Sequence, residues 1–346
     1  MGRRGLCAIS ISVSFSFALA ACALAFGIDD ITVVDDAGTP DARSPEPPPG
    51  DDGPAPPPPD DGGDEADAPF TFDAGSGCDG ATAFGAPVAI GELNSTGNDV
   101  SATLSPDELT VYFASDRPGH LGAGSVYSAT RAARTASFGT PALVPNVNNA
   151  NQDVVNPSVT GDGKKLYLQI AVGAGAPHIY VASRASAGAS FGTPVAVANV
   201  NSGAQDFLPT ISLDGNTLAF SSNRANAQEF VLYEAVGSGG TFGTPAVMAG
   251  IATGVSPSVD TDPVLTADGL TLYFASERDD AAYHVYVAHR ATPLGTFAAP
   301  AQATELNSPI GSGIADLPNW LSPDGCRMYL TRGAATGDLY VATRPN

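Results

Sequence analysis

Five aspartates recur through the C-terminal part of the chain at intervals of a little over fifty residues. They are Asp99, Asp153, Asp206, Asp260 and Asp316. Each begins a short stretch of strand-like composition. Carboxylate oxygens are the ligands that Ca²⁺ and other hard cations prefer, so a ring of such groups could hold a metal ion or another ligand.

Arginines at a nearly constant offset favour a structural role instead. An arginine follows four of the aspartates by 16 or 18 residues, at Arg117, Arg224, Arg278 and Arg332. If the start of one strand lies beside the end of the next, this offset pairs each aspartate with an arginine. Asp153 has no such arginine, because Ala171 and Val172 stand in its place. We therefore expect Asp153 to be available to a ligand, and His178 is the other binding candidate in that repeat.

Familiar catalytic signatures are absent from the sequence, which has no Gly-x-Ser-x-Gly, no Walker loop and no HExxH motif. A glycosidase needs two suitably placed carboxyl groups. The irregularly placed glutamates fall outside the predicted inner strands; these are Glu92, Glu229, Glu234 and Glu305. We therefore expect a protein that is not an enzyme and that has no cofactor and no metal.

The elements that position these residues are five copies of one unit. Phe-Gly-x-Pro occurs at Phe84, Phe138, Phe191 and Phe242, with a weaker copy at Phe297. A Ser/Thr-x-Asp-Gly turn, an alternating strand and a tyrosine-centred strand recur at a similar period. Four short strands in a repeat of about 50 residues are typical of a propeller blade. The proline opens the fourth strand, as suits an outer edge.

We therefore predict an all-β protein with a five-bladed β-propeller over 83–346. The chain enters on a fourth strand (83–93) and ends after a third strand (339–344). The N-terminal strand must then complete the last blade, which removes the free sheet edges at the join.

The repeat resembles the WD-like propeller repeats of TolB and its relatives. Asp-x-x-Pro-x-x-Ser-x-Asp-Gly, then Leu-Tyr-Phe-Ala-Ser-x-Arg and Tyr-Val-Ala-x-Arg, carry the resemblance, best from Asp206 to Arg224 and from Asp260 to Arg278. The second blade departs from the pattern, because it lacks the arginine. The resemblance implies a propeller fold; it implies little about activity, since many proteins reuse this scaffold.

The N-terminal sequence resembles an export signal. Arg3 and Arg4 precede an apolar stretch that ends Leu-Ala-Ala-Cys, with the cysteine at Cys22. This resembles a bacterial lipobox and predicts a signal peptide over 1–21 and a diacylated Cys22. An ordinary signal peptide with a chance cysteine is the alternative. Residues 22–82 are then predicted to form a disordered acidic, Pro-rich linker. Ala23 after the cysteine resembles the sorting rule of enteric bacteria, and this resemblance implies the outer membrane.

Two other cysteines are predicted to form a disulfide. Cys326 begins the second strand of the last blade, and Cys78 lies shortly before the strand that closes the ring. An exported protein permits such a bond. Two independent free thiols are the alternative.

These patterns together predict a lipid-anchored envelope protein whose propeller binds an envelope protein or a cell-wall component without catalysis. One alternative is carbohydrate binding or glycosidase action at the channel mouth, and another is a structural role without a specific ligand. The net charge of −21 and the 15 basic residues exclude nucleic acid as a partner. We expect a monomer.

Overall fold

The computed structural model describes residues 78, 82–252 and 259–345. The predicted signal peptide, Cys22 and nearly all of the predicted linker lie outside the described residues. Within them, twenty-one strands and one short 3-10 helix (Thr304–Leu306) build five antiparallel sheets.

The strands are numbered along the chain, and each blade runs from the propeller axis outward. The chain enters on β1 (Val88–Ala89). Blade 1 contains β2 (Asp99–Leu104), β3 (Thr110–Ser115), β4 (Ser125–Thr130) and β5 (Ala142–Leu143). Blade 2 contains β6 (Gln152–Val159), β7 (Lys165–Val172), β8 (His178–Ser183) and β9 (Val195–Ala196).

Blade 3 contains β10 (Asp206–Ile211), β11 (Thr217–Ser222), β12 (Val231–Ser238), β13 (Thr241–Phe242) and β14 (Ala246–Val247). Blade 4 contains β15 (Asp260–Leu265), β16 (Thr271–Ser276), β17 (His284–His289) and β18 (Ala301–Gln302). Blade 5 contains β19 (Ala315–Leu321), β20 (Arg327–Gly333), β21 (Asp338–Thr343) and, at its outer edge, β1.

The ring closes through the N-terminal strand. Val88 pairs with Val341 and Ala89 pairs with Tyr340 in an antiparallel ladder between β1 and β21. The predicted fold class, a five-bladed all-β propeller closed by its first strand, is confirmed.

A backbone hydrogen bond joins each blade to the next. The amide N–H at the same position of each inner strand donates to the carbonyl oxygen that precedes the third strand of the previous blade. The five bonds run from Asp99 to Gly337 (2.8 Å), Val154 to Gly124 (3.2 Å), Asp206 to Pro177 (3.0 Å), Asp260 to Phe230 (2.9 Å) and Asp316 to Tyr283 (2.9 Å). Apolar side chains fill the seams between blades; at the seam of blades 1 and 2, for example, Tyr112 packs with Leu166 and Leu168.

An asparagine extends the third strand where the fourth is short, a feature that sequence reasoning missed. The amide of Asn201 accepts a bond from Ile179 N–H (2.8 Å) and donates one to Ile179 O (2.9 Å). The same pairing occurs in three other blades, through Asn94, Asn148 and Asn307. Each asparagine follows its Phe-Gly-x-Pro phenylalanine at the same offset, and that regularity was the available signal.

Glu108 replaces the glycine of the first Asp-Gly turn and is fully buried at the seam between blades 1 and 5. Arg327 donates to both of its carboxylate oxygens at 2.6–2.8 Å, and Arg131 Nη2 lies 3.5 Å away. Tyr329 also donates to it (3.1 Å). The ring is therefore stabilised at its closing seam by a buried charge cluster that the other turns lack.

Candidate functional site

A β-bulge interrupts every inner strand at the same place, where the register with the second strand shifts. The bulges place five side chains of four different types around the axis: Ser101, Asn156, Leu208, Asp262 and Asn319. The first four have positive φ angles, of 58°, 51°, 54° and 50°. Such backbone is costly for residues other than glycine, and both bulges and strained residues concentrate at functional sites.

The bulged residues line a cavity of about 20 Å³ on the axis, which is room for a single water molecule. It lies near the end of the channel where the inner strands begin. We call this end the variable rim; it is formed by the described residues of the loops that precede the inner strands and by the connections 116–124, 173–177, 223–230, 277–283 and 334–337. The opposite end, which carries the repeated Asp-Gly turns, is the uniform rim.

On one side of the cavity the polar groups satisfy one another. Thr331 Oγ1 donates to Asn319 Oδ1 (2.8 Å) and accepts from Ser101 N–H (3.0 Å). Ser101 Oγ donates to Asn156 Oδ1 (2.5 Å), and Asn156 Nδ2 donates to Gln169 Oε1 (2.6 Å). Blades 5, 1 and 2 thus present a fixed network of hydroxyl and amide groups to the channel.

On the other side Asp262 is the one ionisable group that lines the cavity. Asp262 is 8% exposed. Burial raises the pKa of its carboxyl to about 7, and this effect outweighs a hydrogen bond from Thr261 that lowers the pKa. Among the described residues, no lysine, arginine or histidine lies within ion-pair distance of it. Its neighbour around the ring, Leu208, is apolar. The charge of this carboxylate therefore has no balancing partner in the described part of the chain.

Four of the five predicted aspartates are fully buried and lie against the arginines that follow them at constant offset. The N–O distances are 2.5 Å for Arg117–Asp99, 2.5 Å for Arg224–Asp206, 2.8 Å for Arg278–Asp260 and 2.5 Å for Arg332–Asp316. None of these aspartates lines the cavity. Among the described residues no group of three or more potential metal-ligating acids, histidines or cysteines comes together.

Asp206 shows how such a carboxylate is held. Burial alone would raise its pKa, but bonds from the Ser222 hydroxyl (2.6 Å), the Ser202 backbone (2.6 Å) and Arg224 (2.5 Å) outweigh it and lower the pKa below the ordinary value. The group is therefore a fixed anion, occupied by its own blade.

In blade 2 the pairing of β6 with β7 does not place Asp153 where the sequence predicted. Val154 pairs with Ile170 where Asp206 pairs with Ser222 in blade 3, so Val154, and not Asp153, occupies the aspartate position. The reason is one additional residue between Asp153 and its bulge. Asp153 Oδ1 is buried without a hydrogen-bond partner, and burial raises its pKa to about 6.

The structure does not bring the two predicted binding residues of blade 2 together. Asp153 lies beside Gly124 of blade 1, where an added Cβ would meet Asp153 Oδ1 at 2.9 Å. His178 lies on the other side, with Nδ1 3.7 Å from Asp206 Oδ2 of blade 3.

Cys78 and Cys326 are joined by a disulfide, with their Cα atoms 5.5 Å apart. The bond ties the segment before β1 to the start of β20, at the uniform rim. Within the described residues no helix is long and apolar enough to span a bilayer.

No protein-family model and no curated protein sequence matches the chain. Solved structures share its fold. An endo-arabinase from Bacteroides thetaiotaomicron VPI-5482 is 18% identical over 76% of this chain and 98% of its own, with a TM-score of 0.51. A glycosyl hydrolase from Bacteroides ovatus is 15% identical over 77% and 95%, with a TM-score of 0.50. TolB from Acinetobacter baumannii is 16% identical over 74% of this chain and 56% of its own, with a TM-score of 0.44.

At these identities the matches describe the fold alone. The chain is a five-bladed β-propeller, as its repeats predicted, and the TolB structures are similar to it in fold. The prediction that it is not an enzyme is wrong as it was argued, because glycoside hydrolases have this same propeller architecture. The motifs whose absence supported that prediction belong to peptidases and nucleotide-binding proteins. The accompanying search for a glycosidase acid considered the irregularly placed glutamates and missed Asp262 on an inner strand.

Proposed function

We propose that this protein binds a carbohydrate at the mouth of its channel on the variable rim. The observation that carries the proposal is the bulged ring around the cavity, in which the Asp262 carboxyl faces the channel beside the hydroxyl and amide groups of Ser101, Asn156 and Asn319. Carboxyl, hydroxyl and amide groups converging on a concave site are suited to fixing sugar hydroxyls. The single-water cavity forms the floor, and the ligand lies above it on the rim.

Binding of soluble glycans tests this proposal. The full chain carrying Cys22→Ser, which removes the predicted acylation site, is applied to an array of bacterial and plant glycans. We expect a restricted set of glycans to bind and Asp262→Asn to weaken binding at least about tenfold, as is typical when a buried charged partner is lost. The matched control is Asp268→Asn on the uniform rim, whose amide keeps the acceptor oxygen used by Thr266 and Leu270. Retention of every glycan by Asp262→Asn would contradict the proposed site.

Glycoside hydrolysis is a second candidate, favoured by the raised pKa of Asp262, about 7. A carboxyl that keeps its proton near neutral pH is what the general acid of a glycosidase requires. Asp262 would donate this proton to the glycosidic oxygen as the bond from that oxygen to the anomeric carbon breaks. A water molecule would add to the anomeric carbon and release its proton to solvent, because no second carboxyl group of the described residues lines the cavity. Release of new reducing ends from any bound glycan, lost in Asp262→Asn, supports hydrolysis; binding without release leaves the protein a carbohydrate-binding module.

We also propose that the mature protein is anchored to the cell envelope through a lipid on Cys22, on the outer membrane. The lipobox-like Leu-Ala-Ala-Cys supports the lipid anchor, and Ala23 after the cysteine supports the outer membrane by resemblance to the sorting rule of enteric bacteria. Cys22→Ser is expected to move the protein from the membrane to the soluble fraction and to abolish incorporation of labelled palmitate. A Cys22→Ser variant that stays on the membrane, together with an unlabelled wild type, would exclude the anchor.

A further inference from the structure

The two rims of the propeller differ in charge. Residues 83–346 contain 12 basic side chains, and eight of them lie at the uniform rim. These are Arg131, Arg134, Lys164, Lys165, Arg184, Arg290, Arg327 and Arg344. The other four are the arginines that pair with buried aspartates at the variable rim. Within the described residues, the variable rim thus has no lysine and no arginine outside those pairs.

Acidic side chains, in contrast, accumulate at the variable rim. Six lie in its connections or at the start of an outer strand: Asp116, Glu229, Glu277, Asp279, Asp280 and Asp338. Two more acidic side chains, Asp153 and Asp262, lie on the inner strands. These eight are in addition to the four aspartates that arginines neutralise, and one of them, Asp280, lies 3.1 Å from His284 Nε2. Such a surface of one sign raises the local concentration of cations around the channel mouth.

Asp262 provides an independent indication of a cationic ligand at this rim. Its carboxyl is 8% exposed and lines the cavity, and no basic side chain of the described residues lies within ion-pair distance. A neutral sugar hydroxyl could satisfy its lone pairs but would leave the charge of the ionised form unbalanced. An ammonium group provides hydrogen bonds and the opposite charge together, which is what a buried carboxylate requires.

We infer that the ligand is a carbohydrate with free, protonated amino groups, so that the variable rim selects hexosamine units with unsubstituted amines over neutral or N-acetylated ones. This inference rests on the proposed carbohydrate site and adds the charge of the ligand to it. The uniform rim, whose acids are interspersed with eight basic side chains, offers no comparable attraction.

Titration calorimetry on the full chain with Cys22→Ser tests the inference with three probes. These are an oligosaccharide of glucosamine, its fully N-acetylated counterpart of the same length, and spermidine as a polyamine without sugar. We expect the glucosamine oligosaccharide to bind at least about tenfold more tightly than the other two at low ionic strength. The preference should shrink in molar salt, where the screening length falls to about 3 Å.

Substitutions test which carboxyl groups carry the preference for free amines. Asp262→Asn and Asp153→Asn should each reduce the preference for the free amine severalfold, whereas Asp268→Asn on the uniform rim should leave it unchanged. Asp153 is suitable because one of its carboxylate oxygens has no partner to lose. An equal loss in Asp268→Asn would show a general charge effect and overturn the inference.

The outcomes separate this inference from the proposed function. The inference is overturned if the glucosamine and N-acetylated oligosaccharides bind with equal affinity. It is also overturned if neutral glycans on the array bind and neither of these two oligosaccharides does. In both cases the proposed carbohydrate site is unaffected. Spermidine binding as tightly as the amino-oligosaccharide overturns the assignment to a sugar. No binding of any glycan overturns both.

Discussion

Replacing Asp262 by asparagine is expected to stabilise the protein at neutral pH. The substitution keeps the shape of the side chain and removes a charge that the described residues do not balance. The pKa of this carboxyl rises from 3.8 to about 7 in the folded protein. A difference of about 3 units, at about 1.4 kcal/mol each, corresponds to about 4 kcal/mol at most. Solvent entering the small cavity would reduce this value, so the expected gain is about 2–4 kcal/mol.

The sign of the pH dependence follows from the raised pKa. Below pH 3.8 the carboxyl is protonated in both states and contributes no difference. As the pH rises toward 7, the unfolded chain ionises while the folded protein retains its proton, so wild-type stability falls relative to the variant. Above the folded pKa the full cost is present. The gain from Asp262→Asn should therefore be near zero at low pH and grow between about pH 4 and 7.

Urea unfolding of the full chain at several pH values, near 4, 5.5 and 7.5, measures this gain. The midpoint should move to higher urea in Asp262→Asn at pH 7.5 and coincide with wild type near pH 4. Asp268→Asn, at an exposed turn on the uniform rim, is the matched control and should show no such growth with pH. A gain independent of pH, or a loss of stability at pH 7.5, would refute the reasoning that Asp262 is a buried, unbalanced carboxyl.

Three further substitutions test the framework around the site. Asp206→Asn should lower the free energy of unfolding by about 2–3 kcal/mol in urea at pH 7, because it removes the anion that Arg224 and Ser222 hold. The difference from wild type should vanish as the pH falls below about 4, through the lowered pKa of Asp206. No change in stability at pH 7 would contradict this. Cys326→Ser should cost about 2–4 kcal/mol, and the idea fails if reduced and oxidised wild type melt at one temperature. Glu108→Gln should cost about 3 kcal/mol, because it removes the fully buried anion that Arg131 and Arg327 share. An unaltered melting temperature would count against the seam cluster.

Much of the fold could be predicted from the sequence, because the information is repeated five times. A single Phe-Gly-x-Pro or Asp-Gly is a weak signal of a turn, but its recurrence with alternating strands between defines the blade. Closure by β1 followed from the strand with which the chain begins and the strand with which it ends. The constant offset between Asp206 and Arg224 also follows from antiparallel geometry, since it places the start of one strand beside the end of the next.

The candidate site could not be read in the same way, because it depends on a one-residue irregularity. A bulge reverses which face a side chain takes, and the alternation of the inner strands conceals it. Prolines inside those strands, such as Pro209 directly after Leu208, were the available signal, since proline cannot donate to a ladder and is found at bulges. The same difficulty misplaced Asp153: one additional residue before the bulge moves Val154 into the aspartate position. Asp262 passed unnoticed because its neighbour Asp260 fitted the repeat.

The distribution of variation among the blades bears on where function lies, even within a single chain. The positions that build the seams are nearly the same in each repeat: the buried aspartate recurs in four blades and the strand-extending asparagine in four. At the bulge, where four of the five residues share φ angles of 50–58°, the side chains around the ring are a serine, an asparagine, a leucine, an aspartate and an asparagine. Packing alone does not require such differences, because repeated blades can be filled by repeated residues. A ring of similar backbone and asymmetric polar groups is suited to recognising an asymmetric ligand on the axis, and the unbalanced carboxyl in that ring is where the proposed recognition would cost stability.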